Sequence, residues 1–480
     1  MSQKLNNKVV IATKWSGATE IATKLVSPIS TMVLARLLTP DAFGILVTAN
    51  MVISFAEIFT DAGFQKYIIQ HEFKDDSDKY QSIAVAFWSN LFFSLILWFI
   101  LCFFSDSIAT LVGCKGEGIV IAVSSICIPI AAFSSIQMAI FKRAMDFKTL
   151  FGIRILGVFI PLLVTVPLAY LTKSYWSLIV GMISLNLSNA ILLTWKSPWK
   201  PRWYYDFSRF KNMFSFTMWS MIESVSIWLT AYFDIFVVGT MLSQYYLGLY
   251  RTSMNTVAQI IGIITSATTP VLFSSLSRLQ DNPLEFERMF FRFQKIVGVL
   301  VIPIGISIFL FKDFVTLFLL GNQWVEAAPF IGLWALISVI LILLSHYSSE
   351  VYRAKGKPKL SVLSQWLYII VLWPTVLIAV HYSFETLYVA RSFVRLESIL
   401  VDLIIMGWVI RINIIKMLTN IIPPLIAGGA MCIVLLLPNN DSVILNICYF
   451  IVSYIIYAGV ILQFKEERQS LFELKKLIKR

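Results

Sequence analysis

Fourteen ionisable side chains of this 480-residue chain fall inside long apolar runs. Seven are basic (Lys14, Lys24, Arg154, Arg251, Lys295, Arg391, Arg395) and seven acidic (Glu20, Glu57, Asp61, Glu223, Asp234, Glu397, Asp402). A charge inside a bilayer is costly, so such groups face protein or water and mark substrate paths, proton relays or ion pairs. Their spacing sorts them. Thr13, Glu20, Lys24, Ser27 and Thr31 recur at steps of 7, 4, 3 and 4, which places them on one helix face. Asn50, Ser54, Glu57 and Asp61 repeat the device at steps of 4, 3 and 4. Arg251, Asn255 and Gln259 share a side of another helix, and Arg391, Arg395, Ser398 and Asp402 a side of a fourth. Four polar faces on apolar helices call for a wet interior.

The chemistry these types offer is anion binding and proton or ion exchange. Arginine suits phosphate because its planar fork bonds two oxygens at once. At 1.5 Å rise per residue, Lys24 and Arg395 come near mid-membrane and Arg391 roughly 10 Å below the outer surface. Lys24, Arg391, Arg395 and Arg251 are the anion-binding candidates. Glu20, Glu57, Glu223 and Asp61 are the candidates for ion coupling or for lining a cavity, Glu223 lying beside Ser220 and Ser224 at the middle of its helix. Lys14, Arg154 and Lys295 fall near the inner surface, where snorkelling to headgroups explains them. Asp234 falls near the outer end of its helix, where water suffices. No catalytic residue, metal site or cofactor motif is indicated.

The elements that must position these residues are transmembrane helices. The chain is 58% hydrophobic and 14% charged, with a mean hydropathy of +0.78, and apolar runs of about 20 residues, enough for one crossing, recur nearly end to end. Runs this continuous, with no period of two, exclude a barrel. Helices are expected at 10–34, 43–64, 82–104, 119–141, 152–171, 175–195, 212–238, 247–270, 291–311, 327–349, 360–380, 384–406, 417–437 and 442–464. That makes an all-α integral membrane protein of about fourteen crossings. The first run carries Lys14, Glu20 and Lys24, unlike a cleavable signal peptide.

The net charge of +12 is distributed asymmetrically. The outer loops hold only Arg36, Lys115, Lys173 and Lys312, so both termini are expected in the cytoplasm by the positive-inside rule. The tail "ELKKLIKR" fits anionic membrane lipid, not nucleic acid. Cys102, Cys114, Cys127, Cys432 and Cys448 have no pairing or metal spacing and read as packing residues.

A repeat organises the helices. Shifted by 204 residues, "LTPDAFGIL" (38–46) lies over "LSQYYLGLY" (242–250), and both fall in the first outer hairpin of a six-helix half. Thr39-Pro40 should end the first crossing, and Gly44 should let the second begin close by. "FKRAMDFKTL" (141–150) echoes "VYRAKGKPKL" (351–360) at an offset of 210, in equivalent inner loops. The expected domains are a six-helix lobe at 1–200, a second at 201–410, and two extra helices with a basic tail at 411–480. Two pseudo-symmetric lobes around a central cavity are a transporter architecture.

Here the residues become specific. "LARLLTPDAFG" followed by "FAEIFTDAGFQKYIIQ" (55–70), with "YFDIFVVGTMLSQYYLGLYR" (232–251), resembles the Wzx-type polysaccharide flippases of the multidrug, oligosaccharidyl-lipid and polysaccharide exporter superfamily. The resemblance implies two six-helix lobes, often with two further C-terminal helices, in the bacterial inner membrane. It implies translocation of undecaprenyl-pyrophosphate-linked oligosaccharide repeats for O-antigen, capsule or exopolysaccharide, with no enzymatic step. It also implies coupling to H⁺ or Na⁺, and a polysaccharide polymerase and chain-length regulator as partners.

Two other functions compete. A drug exporter of the same superfamily typically has twelve helices, which the two C-terminal additions disfavour. A membrane glycan enzyme would use Asp76-Ser77-Asp78 in "KDDSDKY" as a metal and nucleotide-sugar site, but that loop is too short to surround one and reads as a solvated acidic turn. "WKSPWKPRWYYDF" (195–207) is read as an aromatic belt with basic anchors, or as a grip on the carrier headgroup.

Overall fold

The computed structural model describes residues 2–61, 63–437 and 443–468, excepting the side chains of 2–14, 16, 21, 61, 215–220 and 222–223. Every long apolar run becomes a helix, and no strand occurs among the described residues. The long segments are α1 (Ser2–Leu37), α2 (Pro40–Asp61), α3 (Asp76–Phe103), α4 (Gly118–Ala144), α5 (Phe147–Thr172), α6 (Trp176–Lys196) and α7 (Phe207–Met241). They continue as α8 (Gln244–Arg278), α9 (Pro283–Leu310), α10 (Asn322–Ala354), α11 (Lys359–Ala379), α12 (384–410), α13 (Ile414–Leu436) and α14 (Val443–Ile461).

Among the described residues, twelve of them hold stretches long and apolar enough to cross a membrane; α1 and α12 are not in that set. These two carry several of the intramembrane charges, Glu20 and Lys24 on α1 and Arg391, Arg395, Glu397 and Asp402 on α12. The expected count of fourteen crossings thus meets twelve that qualify on length and apolarity. α7 and α8, at 35 residues each, are roughly 50 Å long, well beyond a hydrocarbon core of about 30 Å.

The chain divides into two compact units, 1–251 and 252–480. In the first, a cluster around Phe64, Ile68, Phe87, Ile136, Trp199 and Met213 joins α3, α4 and the start of α7 to the short helix Phe64–Gln70. Arg143, at the end of α4, closes that helix. Its Nη1 donates to the carbonyls of Ile68, Ile69 and His71 at 2.8, 3.2 and 2.7 Å, and its guanidinium lies 4.7 Å from the centre of the Phe73 ring. Carbonyls at a helix C-terminus have no partner within the helix, so one planar cation satisfies several at once.

The acidic turn and the aromatic stretch are parts of the same inner corner. Asp75 caps α3 by accepting from the Asp78 amide at 2.7 Å. Asp78 pairs with Arg209, which also donates to Gln81 at 2.9 Å. This bond to Asp78 holds the Arg209 pKa above its usual value. Asp76 pairs with Lys79 at 3.3 Å, so the Asp-x-Asp spacing is spent on two ion pairs. In "WKSPWKPRWYYDF", Trp199 is a buried core residue, whereas Trp195 and Trp203 are 70% and 88% exposed. The stretch is thus half core and half belt.

In the second unit α10 is enclosed, 72% buried along its apolar window, and packs against α9 and α12, while α14 is only 17% buried. The chain beyond Ile461 returns to α9, where Lys295 pairs with Glu466 and, at 3.8 Å, with Glu467. Lys295 thus has carboxylate partners within the protein and does not need a lipid headgroup. All five cysteines are free; Cys114 and Cys127 are buried, Cys432 and Cys448 exposed. Burial, with Glu117 adding to it, pushes the Cys114 thiol up to about 12.

Candidate functional site

Two of the four anion-binding candidates come together in the second unit. Arg391 and Arg395 are one turn apart on α12, and Trp334 and Ser338 one turn apart on the facing α10. The guanidinium carbons of Arg391 and Arg395 lie 5.2 and 4.0 Å from the centre of the Trp334 ring. Arg395 donates to Ser338 Oγ at 2.6 Å, and Arg391 donates to the Tyr368 hydroxyl from α11. Each cation over the indole face gains about 0.5–2 kcal/mol. Trp334 therefore gathers two like charges that would otherwise repel. Arg391 is buried, and Arg395 half-buried.

Beside this cluster is a cavity of about 470 Å³ that shares Tyr368 with it. Its polar lining includes Ser345, Tyr352, Gln365, Ser398 and Asp402. Asp402 accepts from Tyr352 Oη at 2.9 Å and from Ser345 Oγ. Its hydrogen bonds go to hydroxyls, not to either arginine. Ser345 is presented by a π-helical turn at Ile342–His346, and a second π-turn, Met406–Ile410, ends α12. Such turns insert an extra residue and re-aim side chains. Glu397 is half-buried, and its Oε2 has no hydrogen-bond partner among the described residues.

The other candidates are dispersed. Glu20 pairs with Arg154 of α5 at 3.6 Å and lines a cavity within the first unit. Arg154 thus has a protein partner, where a snorkelling role was expected. Lys24 is half-buried on α1 but does not line that cavity, although Ser27 and Thr31 of the same stripe do. Glu57 is half-buried on α2 near Cys127 of α4. Arg251 is half-buried on α8, at the last residue of the first unit. The side chains of Glu223 and Asp61 lie outside the described residues. Asp234, expected in solvent, is 2% exposed and accepts from Tyr250 Oη at 2.9 Å.

Sequence reasoning passed over Trp334, Tyr368 and Tyr352. One tryptophan inside the apolar run "PFIGLWALISVILILL" was the visible signal, but indoles are common in membrane helices. Only its facing pair of arginines distinguishes it.

Among its described residues the chain is helical, and twelve of its helices are long and apolar enough to cross a membrane. Residues 33–329 match the family model described as polysaccharide biosynthesis protein, and the chain belongs to that family. It is 24% identical over 369 residues to the succinoglycan biosynthesis transport protein ExoT of Rhizobium meliloti (strain 1021), covering 76% of this chain and 73% of that protein. Its fold is similar to the lipid II flippase MurJ in an inward closed conformation, with a TM-score of 0.72 over 95% of this chain and 99% of that one at 13% identity. It is also similar to an inward-facing MATE family transporter of the MOP superfamily, with a TM-score of 0.60 over 79% and 92% at 13% identity. These relatives are transporters and a flippase, not enzymes.

Proposed function

We propose that this protein is a flippase that carries undecaprenyl-pyrophosphate-linked oligosaccharide repeats from the cytoplasmic to the outer face of a bacterial inner membrane. The glycan is destined for O-antigen, capsule or exopolysaccharide. The cycle is ion-coupled alternating access, driven by H⁺ or Na⁺, with both chain termini in the cytoplasm.

The observation that carries the reading is the guanidinium pair on Trp334. A pyrophosphate has two negative centres a few ångströms apart, and two arginines fixed one helical turn apart match that spacing with planar donors. The hydroxyls of Ser338 and Tyr368 hold the guanidiniums in place, so little side-chain entropy is lost when phosphate displaces them. Family membership supports the glycan part of the substrate.

The test is outward translocation of a labelled undecaprenyl-pyrophosphate oligosaccharide in liposomes that contain only this protein. Transfer under an H⁺ or a Na⁺ gradient is expected. Failure under both gradients, in preparations that retain the native melting profile, overturns the reading. Gradient-driven transport of amphipathic cations in its place would make the protein a small-molecule exporter.

A further inference from the structure

The first unit holds a cavity of about 610 Å³ that the arginine cluster of the second unit does not explain. One wall is the hydroxyl ladder of α1, formed by Thr19, Thr23, Ser27, Ser30 and Thr31, with Glu20 among them. Three of these hydroxyls spend their protons on their own helix. Thr19, Thr23 and Thr31 donate to carbonyls one turn back, at 2.8, 2.7 and 3.1 Å. The oxygens of Thr19 and Thr23 keep lone pairs that can accept. Ser30 Oγ is buried and has no hydrogen-bond partner among the described residues, a state that costs free energy unless a ligand or water completes it.

Across the space, the Glu20 to Arg154 ion pair joins α1 to α5. Both side chains are about half exposed, 45% and 59%, so carboxylate and guanidinium keep free hydrogen-bonding positions. The opposite wall is largely apolar, with Ile153 and Val158 of α5 and Leu185 of α6, and one amide, Asn189.

These features discriminate between ligand classes. Two cations line the space, but Arg154 pairs with Glu20 and Lys142 donates to Gln65 Oε1 at 3.3 Å, so both already have protein partners and an inorganic anion is disfavoured. A metal ion would find a single carboxylate, itself paired. An acyl or prenyl chain would offer no hydrogen bond to the ladder and would leave Ser30 Oγ unsatisfied, at about 1–3 kcal/mol. A pyranose ring has what the walls ask for, a rim of hydroxyls that both donate and accept, and flat C–H faces. The volume lies within the roughly 300–1,000 Å³ of small-ligand sites.

We propose that this cavity is a sugar subsite, in which a pyranose of the substrate turns its hydroxyl rim to α1 and the Glu20–Arg154 pair, and a C–H face to α5 and α6. The proposal rests on the flippase reading and deepens it: glycan selectivity resides in the first unit. Ser27 and Asn189 then act as specificity residues, since their replacement changes which ring hydroxyls find partners.

The experiment uses the full-length protein in lipid nanodiscs. The probe is the repeat-unit oligosaccharide released from the producing strain's surface polysaccharide and tagged with a diazirine at its reducing end. Photolabelling should map to peptides containing residues 19–31, 153–158 or 185–189. Excess untagged oligosaccharide should compete, whereas undecaprenyl pyrophosphate without sugar should not. Leu185→Trp, which fills the space, and the near-isosteric Glu20→Gln should each reduce labelling at least 10-fold with an unchanged melting temperature; Thr23→Val provides a third variant if Leu185→Trp misfolds. Labelling elsewhere, labelling insensitive to these variants, or competition by the sugar-free prenyl pyrophosphate overturns the subsite. The liposome assay run in parallel separates the two ideas. Translocation without labelling at these peptides sinks the subsite alone, and absence of translocation sinks the flippase reading.

Discussion

Gly44 and Gly248 occupy reciprocal positions. A Cβ on Gly44 would lie 1.9 Å from the Gln244 carbonyl oxygen, and a Cβ on Gly248 1.9 Å from the Pro40 carbonyl oxygen. Pro40 and Gln244, like Gly44 and Gly248, are 204 positions apart, so the first turns of α2 and α8 meet as equivalent partners in the repeat register. Gln244 completes the junction, accepting from Thr48 Oγ1 and donating to the Gly113 carbonyl, both at 2.9 Å.

Substituting either glycine should therefore push two backbones apart. Gly44→Ala and Gly248→Ala are each expected to destabilise by about 1–3 kcal/mol, the usual range for overpacking. The double variant should cost less than the sum, since one shift relieves both clashes. Thermal unfolding of the purified protein checks this; an unchanged melting temperature in both single variants refutes the contact.

Arg143→Ala removes one cation from three carbonyls and an aromatic face. A hydrogen bond to a charged group is worth about 1.5–3 kcal/mol, so a loss of roughly that size or somewhat more is expected. Hydrogen exchange should rise specifically in 64–73. Arg143→Lys should recover only part of the loss, because an ammonium cannot spread across the same three acceptors.

Arg391→Ala or Arg395→Ala should abolish surface glycan while leaving expression and membrane insertion intact. Trp334→Leu should reduce it too, since the two guanidiniums lose the face that holds them together. Wild-type glycan levels in the arginine variants would sink the anion site. Arg395→Lys is expected to remain impaired, as it loses the planar fork.

The contact between Glu466 and Lys295 carries a pH dependence. The hydrogen bond from Lys295, with its charge, lowers the Glu466 pKa below its usual 4.5. A carboxylate with a depressed folded-state pKa stabilises the docked tail at pH above 4.5, and this is lost as pH falls through the lower folded value. Exchange protection at 463–468 should thus be flat from pH 8 to 5 and fall below about 4. Lys295→Gln should show weak protection throughout; protection that is equal in both proteins at pH 7 would rule the contact out.

The apolar runs determined the helices on their own. A bilayer-length stretch must satisfy its backbone internally, so each expected crossing reappears as a helix, with ends that differ by up to eight residues. The repeat was legible for a similar reason, because a hairpin that bends twice in the same way leaves turn residues at the same offset. Which faces meet was not legible. Periodicity placed Glu20, Lys24, Ser27 and Thr31 on one stripe, yet packing turned part of it into the first unit's cavity, paired Glu20 with Arg154 and left Lys24 off the wall. Pro40 starts α2, and Gly44 serves close approach four residues later instead of starting the helix. Asp234 is buried against Tyr250, because another helix covers a position that its own helix alone would leave in water. The sequence by itself determined which segments are helical and which charges they carry, since hydropathy and period are local. Only the tertiary structure decided that Trp334 gathers Arg391 and Arg395, because a contact between α10 and α12 depends on the rotation of both helices, which no single-helix pattern encodes.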